Sequence, residues 1–181
     1  DSGIEKVKNG DYYGAIADYT KAIEIDPNNA DAYYNRGSAK DDLKDYYGAI
    51  ADYTKAIEIN PNYAYAYYNR GIAKGGLKDY YGAIADYTKA IEIDPNDASA
   101  YYNRGLAKDD LEDNKGAIAD FTKAIEIDPN DASAYYNRGL AKYYLKDYYG
   151  AIADCTKAIE INPNNAYAYY NRGLAKYDLK D

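Results

Sequence analysis

Apolar residues recur along this chain at steps of three and four, not two. Between positions 46 and 59, Ala49, Ile50, Tyr53, Ala56 and Ile57 fall at i, i+1, i+4, i+7 and i+8, the stripe of an amphipathic helix. Upstream, Ala32, Arg36, Ala39 and Leu43 keep the same steps and predict a helix over 30–43. Lys44 and Asp45 leave only a tight connection, with Asp45 placed to cap the second helix. The same aspartate returns as Asp11, Asp79, Asp113 and Asp147. Asn60-Pro61-Asn62 ends the second helix, because proline cannot continue it and disfavours helical backbone in the residue before. Tyr and Ile are good strand formers, yet the period is helical, so the chain reads as all-α.

This pattern returns every 34 residues, and Pro27, Pro61, Pro95, Pro129 and Pro163 all keep the spacing. Four complete repeats result, 30–63, 64–97, 98–131 and 132–165, with partial repeats at 1–29 and 166–181. No linker interrupts the register, so a single array over 1–181 is expected. A helix pair this short cannot cover its own apolar stripe, and neighbours must stack into a curved solenoid with one concave side.

The repeat resembles the tetratricopeptide repeat, whose signature is W-x2-L-G-x2-Y, A-x3-F and P over 34 residues. Here Tyr33-x2-Arg36-Gly37-x2-Lys40 is followed by Ala49-x3-Tyr53 and Pro61, and the third repeat carries Ala117-x3-Phe121 literally. Tyr33, Tyr67, Tyr101, Tyr135 and Tyr169 stand where the family has Trp, and Arg and Lys replace its Leu and second Tyr. The resemblance implies a right-handed superhelix of antiparallel helix pairs whose first helices line the concave surface. It also implies a protein-interaction scaffold and not an enzyme.

Composition narrows the chemistry. The 181 residues carry a formal net charge of −8, with 27 Tyr, one Phe, one Cys, five Pro and no His, Met or Trp. Without His, the commonest general base and metal ligand is missing, and one Cys makes neither a disulfide nor a thiolate zinc site. Cys155 occupies a core place that holds Tyr or Phe in the other repeats, and reads as a small buried hydrophobe. The Asp-Pro-Asn-Asp segments lack the Gly and terminal Glu of a calcium loop. The carboxylates are periodic, so each repeat offers the same set and none is singled out as an acid–base pair. Neither cofactor nor metal is expected. An acidic surface disfavours nucleic acid and anionic membrane, and no apolar run approaches the ~20 residues of a spanning helix. The lack of disulfides points to the cytoplasm.

Two files of residues remain. All five arginines (Arg36, Arg70, Arg104, Arg138, Arg172) occupy one place on the first helix, and Asp18, Asp52, Asp86, Asp120 and Asp154 one place on the second. Pairing each Arg with the Asp of the preceding repeat, from Asp18–Arg36 to Asp154–Arg172, leaves none unmatched, whereas pairing within repeats orphans Asp18 and Arg172. An inter-repeat ladder is therefore expected, against a rival reading in which Arg reaches solvent.

The other file is Tyr34-Asn35, Tyr68-Asn69, Tyr102-Asn103, Tyr136-Asn137 and Tyr170-Asn171, with Ile72, Leu106 and Leu140 one turn further on. By the family resemblance these line the groove, with Asn bonding a peptide backbone and Tyr forming walls. The alternative is that they pack between successive first helices. The family's chaperone-binding members clamp a terminal carboxylate with cations beside Asn. Here those places hold Tyr34, Tyr68 and Tyr102, or Asp31, Tyr65, Ser99 and Ser133, so only the Asn matches. A neutral or basic peptide or helix is the expected partner. Self-association is the alternative, with solenoid ends docking head to tail into a homo-oligomer.

Overall fold

The computed structural model describes residues 2–179. Asp1, Lys180 and Asp181, the outermost positions of the two partial repeats, lie outside them. Helices α1 (Ser2–Lys8), α2 (Tyr12–Ile25), α3 (Ala30–Asp42), α4 (Tyr46–Ile59), α5 (Ala64–Gly76) and α6 (Tyr80–Ile93) lie in one compact unit, Asp1–Pro95. Helices α7 (Ala98–Asp109), α8 (Asn114–Ile127), α9 (Ala132–Tyr144), α10 (Tyr148–Ile161) and α11 (Ala166–Asp178) lie in a second, Asn96–Asp181. Within each unit every helix packs on its neighbours in sequence as antiparallel pairs, and the first helices of successive repeats also touch, α3 on α5, α7 on α9 and α9 on α11. This is α-solenoid packing.

Local chemistry explains the boundaries. Asp45 caps α4 by accepting from the Gly48 N–H at 3.0 Å, and Asp11, Asp79, Asp113 and Asp147 cap α2, α6, α8 and α10 the same way. The first helices α3, α7, α9 and α11 are capped too, by Asn29, Asp97, Asp131 and Asn165, which the sequence reading did not single out, whereas α5 starts at Tyr63 without a side-chain cap. The turn between the helices of a pair places Lys44, Lys78, Glu112 and Lys146 at φ of 60 to 63°, the left-handed region, and Gly10 takes that role in the first partial repeat. At the turn, Asp45 N–H donates back to Lys40 O at 2.9 Å, which satisfies a helix-end carbonyl.

The core is small residues against one large ring per repeat. Tyr53 and Phe121 are buried at 1% and 0% exposure, so each ring contributes roughly 2–3 kcal/mol of hydrophobic stabilisation. Gly37 lets that ring in: a Cβ there would lie 2.9 Å from Tyr53 Cε1, and one at Gly105 would lie 2.8 Å from Phe121 Cε1. In repeat 132–165 the ring is replaced by buried Cys155, and a Cβ at Gly139 would meet Sγ only at 3.3 Å.

Candidate functional site

The arginine file is resolved differently from the expected ladder. Arg36 Nε and Nη2 donate to Asp52 Oδ2 and Oδ1 at 2.9 and 2.7 Å, inside one repeat, and Lys40 Nζ joins the same carboxylate at 2.7 Å. The arrangement repeats as Arg70–Asp86–Lys74, Arg104–Asp120–Lys108 and Arg138–Asp154–Lys142. The inter-repeat pairing of Asp18 with Arg36, Asp52 with Arg70 and Asp154 with Arg172 is thus corrected to pairing within repeats. Helix geometry is the reason. Arg36 Nη1 does reach the preceding repeat, but it meets Thr20 Oγ1 at 3.1 Å. Asp18 and Thr20 are two positions apart, about 200° around α2, so only one can face α3. Thr20 does, and Asp18 turns to α1, where Lys6 (the counterpart of Lys40) lies 2.8 Å away.

These arginines make further contacts. Arg70 repeats the bond to a preceding threonine with Thr54 at 3.0 Å, Arg138 with Thr122 at 3.2 Å and Arg172 with Thr156 at 3.3 Å. The guanidinium of Arg36 also lies 5.6 Å from the Tyr33 ring centroid, and Arg70, Arg104, Arg138 and Arg172 lie at 5.3 to 5.5 Å from Tyr67, Tyr101, Tyr135 and Tyr169. The hydrogen bond to Asp52 raises the Arg36 pKa above its usual value, and Asp154 does the same for Arg138. Arg36, Arg70 and Arg138 therefore each tie the two helices of one repeat to the helix before them.

The Tyr–Asn file is partly spent on packing. Asn69 Nδ2 donates to Tyr34 Oη at 2.9 Å, Asn137 to Tyr102 at 2.9 Å and Asn171 to Tyr136 at 3.0 Å, each bond joining successive repeats. Burial raises the pKa of all three phenols above the usual tyrosine value. Three rings of this file stand over the core: Tyr34 is 5.8 Å from Tyr53, Tyr68 5.8 Å from Tyr87 and Tyr102 5.8 Å from Phe121. Ile72, Leu106 and Leu140 are half-buried, and Asn103 donates to Ser99 O in its own helix at 2.9 Å. Tyr170 is 65% exposed. Asn35 has no side-chain hydrogen bond among the described residues. It lines an open cleft of about 380 Å3 with Ile4, Tyr19, Asn29 and Asp31.

Two groups stand out that the sequence reading had not ranked as sites. Asp41 is raised above the usual carboxylate pKa by burial and then by Asp42, and its Oδ1 is buried without a hydrogen bond among the described residues. Asp109, its counterpart in the third repeat, is raised by burial and by Asp110. It lines a second open cleft, of about 490 Å3, with Asp110, Glu112, Asn114 and Tyr144. Burial pushes the Cys155 thiol up to about 11, which keeps it protonated and unreactive near neutral pH. No helix among the described residues is long and apolar enough to cross a membrane.

Stacked two-helix repeats with a Tyr- and Asn-bearing first-helix face define a helical-repeat protein. The family profile described as Tetratricopeptide repeat matches residues 30–63, 64–97 and 132–165. A second profile of that description matches 86–119 and 155–180, and one described as TPR repeat matches 3–40 and 110–146. The chain belongs to the tetratricopeptide repeat family. No curated protein matches it by sequence. Among solved structures, a crystal structure of MamA is 31% identical, with a TM-score of 0.87 over 92% of this chain and 97% of that one. YrrB, described as a TPR protein with an unusual peptide-binding site, is 26% identical, with a TM-score of 0.84 over 95% and 89%. The first TPR of Spaghetti (RPAP3), bound to the HSP90 peptide SRMEEVD, is 26% identical, with a TM-score of 0.64 over 65% and 94%.

Proposed function

We propose that this chain is a non-catalytic scaffold whose first-helix face holds an extended peptide or partner helix of neutral or basic character. The observation that carries the reading is the first-helix face of α7 and α9, where Tyr102, Leu106, Tyr136 and Leu140 stay only half-buried after the repeats have stacked. Partly exposed apolar side chains recurring at repeat spacing are what an extended peptide or a partner helix docks on. Peptide binding by the similar YrrB and RPAP3 structures supports the same reading. The acidic tail bound by the latter is not the proposed partner, because the places for its clamping cations hold Tyr34, Tyr68, Tyr102, Asp31, Tyr65, Ser99 and Ser133. The unbroken register supports treating 1–181 as one array. Arrayed peptides titrated at low and high salt test the proposal, with Tyr102→Ala/Asn103→Ala/Tyr136→Ala as the control for the first-helix face. Neutral or basic peptides should bind the parent and not the triple variant. Preference for acidic peptides refutes it.

Self-association is the second reading, favoured by the second helices α2, α4, α6 and α10, where Tyr13, Tyr47, Tyr81 and Tyr149 are 74 to 77% exposed. Such a file of rings is apolar surface suited to a second copy. Light-scattering mass should then rise with concentration, and a strict monomer at high concentration removes this reading.

A further inference from the structure

Three departures from the repeat pattern meet at one place. Glu112 stands where the other full repeats carry Lys44, Lys78 and Lys146, and Asn114 where they carry Tyr46, Tyr80 and Tyr148. Tyr144 stands where Asp42, Gly76, Asp110 and Asp178 occur. All three line the open cleft of about 490 Å3 that Asp109 and Asp110 complete. In the N-terminal unit the equivalent place is filled, because the Tyr46 ring lies against Gly76, where a Cβ would be 2.9 Å from its Cζ. Replacing that ring by Asn114 removes an aromatic group's volume, and the opposing Tyr144 supplies a wall that is 59% exposed. Tyr143 holds the wall edge-on, with ring centroids 6.0 Å apart.

We infer that this cleft seats the guanidinium of an arginine carried by the bound peptide, an assignment that rests on the peptide-scaffold reading. A flat cation stacks on an exposed tyrosine ring, and its fork of N–H donors matches carboxylates spread around it. The three acids are not neutralised by the nearest lysine of the repeat's signature, since Lys108 is committed to Asp120 at 2.8 Å. Asp109, already raised by burial and by Asp110, gains from a neighbouring positive charge. Among the described residues no three acidic or thiol groups converge as a metal site would require, so a planar multi-donor cation fits this spread of carboxylates better than a metal ion.

The test uses the full chain and blocked nine-residue Gly/Ser/Pro peptides with Arg, citrulline or Glu at the centre. Affinity is read by fluorescence anisotropy, and amide NMR shifts are followed with N-acetylarginine amide. The Arg peptide should bind at least 10-fold tighter than the citrulline peptide. Asn114→Tyr, which restores the ring of the other repeats, should erase that ratio without weakening the citrulline peptide, and Asp110→Asn should reduce it. N-acetylarginine amide should shift amides of Asp109, Asp110 and Tyr144. If the citrulline peptide binds but Arg adds nothing and no cleft amide shifts, the pocket assignment falls and the scaffold reading stands. If no peptide binds while arginine amide still shifts the cleft, the scaffold reading falls and the guanidinium site stands. An Arg preference that survives Asn114→Tyr overturns the assignment.

Discussion

Replacing Asp52 by Ala should cost far more than any surface ion pair in the same repeat. The carboxylate side chain is 5% exposed and accepts three charge-assisted bonds, two from Arg36 and one from Lys40, all at 2.7 to 2.9 Å. At roughly 1.5–3 kcal/mol per bond to a charged group, a naive sum exceeds 4 kcal/mol. Removing one partner of a buried pair measures about 3–5 kcal/mol, because the orphaned charge stays desolvated. Arg36 and Lys40 are 17% and 21% exposed and rehydrate in part, so about 3 kcal/mol is expected. Lys55→Ala, which breaks the exposed 2.6 Å pair with Glu58, should be far milder, because water already screens that pair. The triple change Arg36→Met/Lys40→Met/Asp52→Leu removes all three charges together and should lie within about 1 kcal/mol of the parent. Amide exchange of α3 and α4 is the assay, because a solenoid need not unfold in one step. The reasoning is refuted if Asp52→Ala costs under about 1 kcal/mol, or if the triple variant loses as much as the single one.

Cys155→Phe should stabilise repeat 132–165 by about 1–2 kcal/mol, since it restores a buried ring under Tyr136 as Phe121 sits under Tyr102; urea midpoints would read the gain. Gly71→Ala should cost about 1–3 kcal/mol by pressing on Tyr87, 2.7 Å away, whereas Gly139→Ala should cost less because the added methyl meets Asp154 Cβ, Ala151 O and Cys155 Sγ at 3.2 to 3.3 Å. Asp41→Asn addresses a carboxyl whose pKa is raised by folding. Its charge destabilises the fold above that raised value and has no effect once both states are protonated. The variant should therefore melt higher than the parent at pH 7, and the gap should close as pH falls toward the usual carboxylate value of about 3.9; thermal melts from pH 3 to 7 would show it.

The period, the helix pairs and their limits were legible from the sequence because each rests on local chemistry. Proline at Pro61, aspartate at Asp45 and the stripe from Ala49 to Ile57 act within one turn of the positions they control. Pairing across helices was less legible. Counting partners matched Asp18 with Arg36, yet the choice between Asp18 and Thr20 depends on which side of α2 faces α3. Pairing the Thr20 file with the arginines would have revealed the contact, since both recur at the same register. Lys40 was read only as a departure from the signature, though its place one turn beyond Arg36 puts it on the same face. The Asn69–Tyr34 bond spans 35 residues, one more than the repeat, and so hides from any comparison made within a repeat.

That division bears on where recognition lies. Residues identical in every repeat, such as the Arg–Asp–Lys set, have their bonding capacity consumed by stacking, and a ligand must compete with a partner already in place. Free capacity collects where repeats differ. The acidic cleft opens where Asn114 replaces a ring and Glu112 reverses a charge. In a scaffold assembled from near-identical hairpins, specificity enters through the few positions released from the stacking pattern. Substitutions that restore the repeat consensus at Asn114 or Glu112 should thus leave stability nearly unchanged while altering what binds. Substitutions in the Arg36 or Asp52 files should lower stability first, and binding only as the stack loosens.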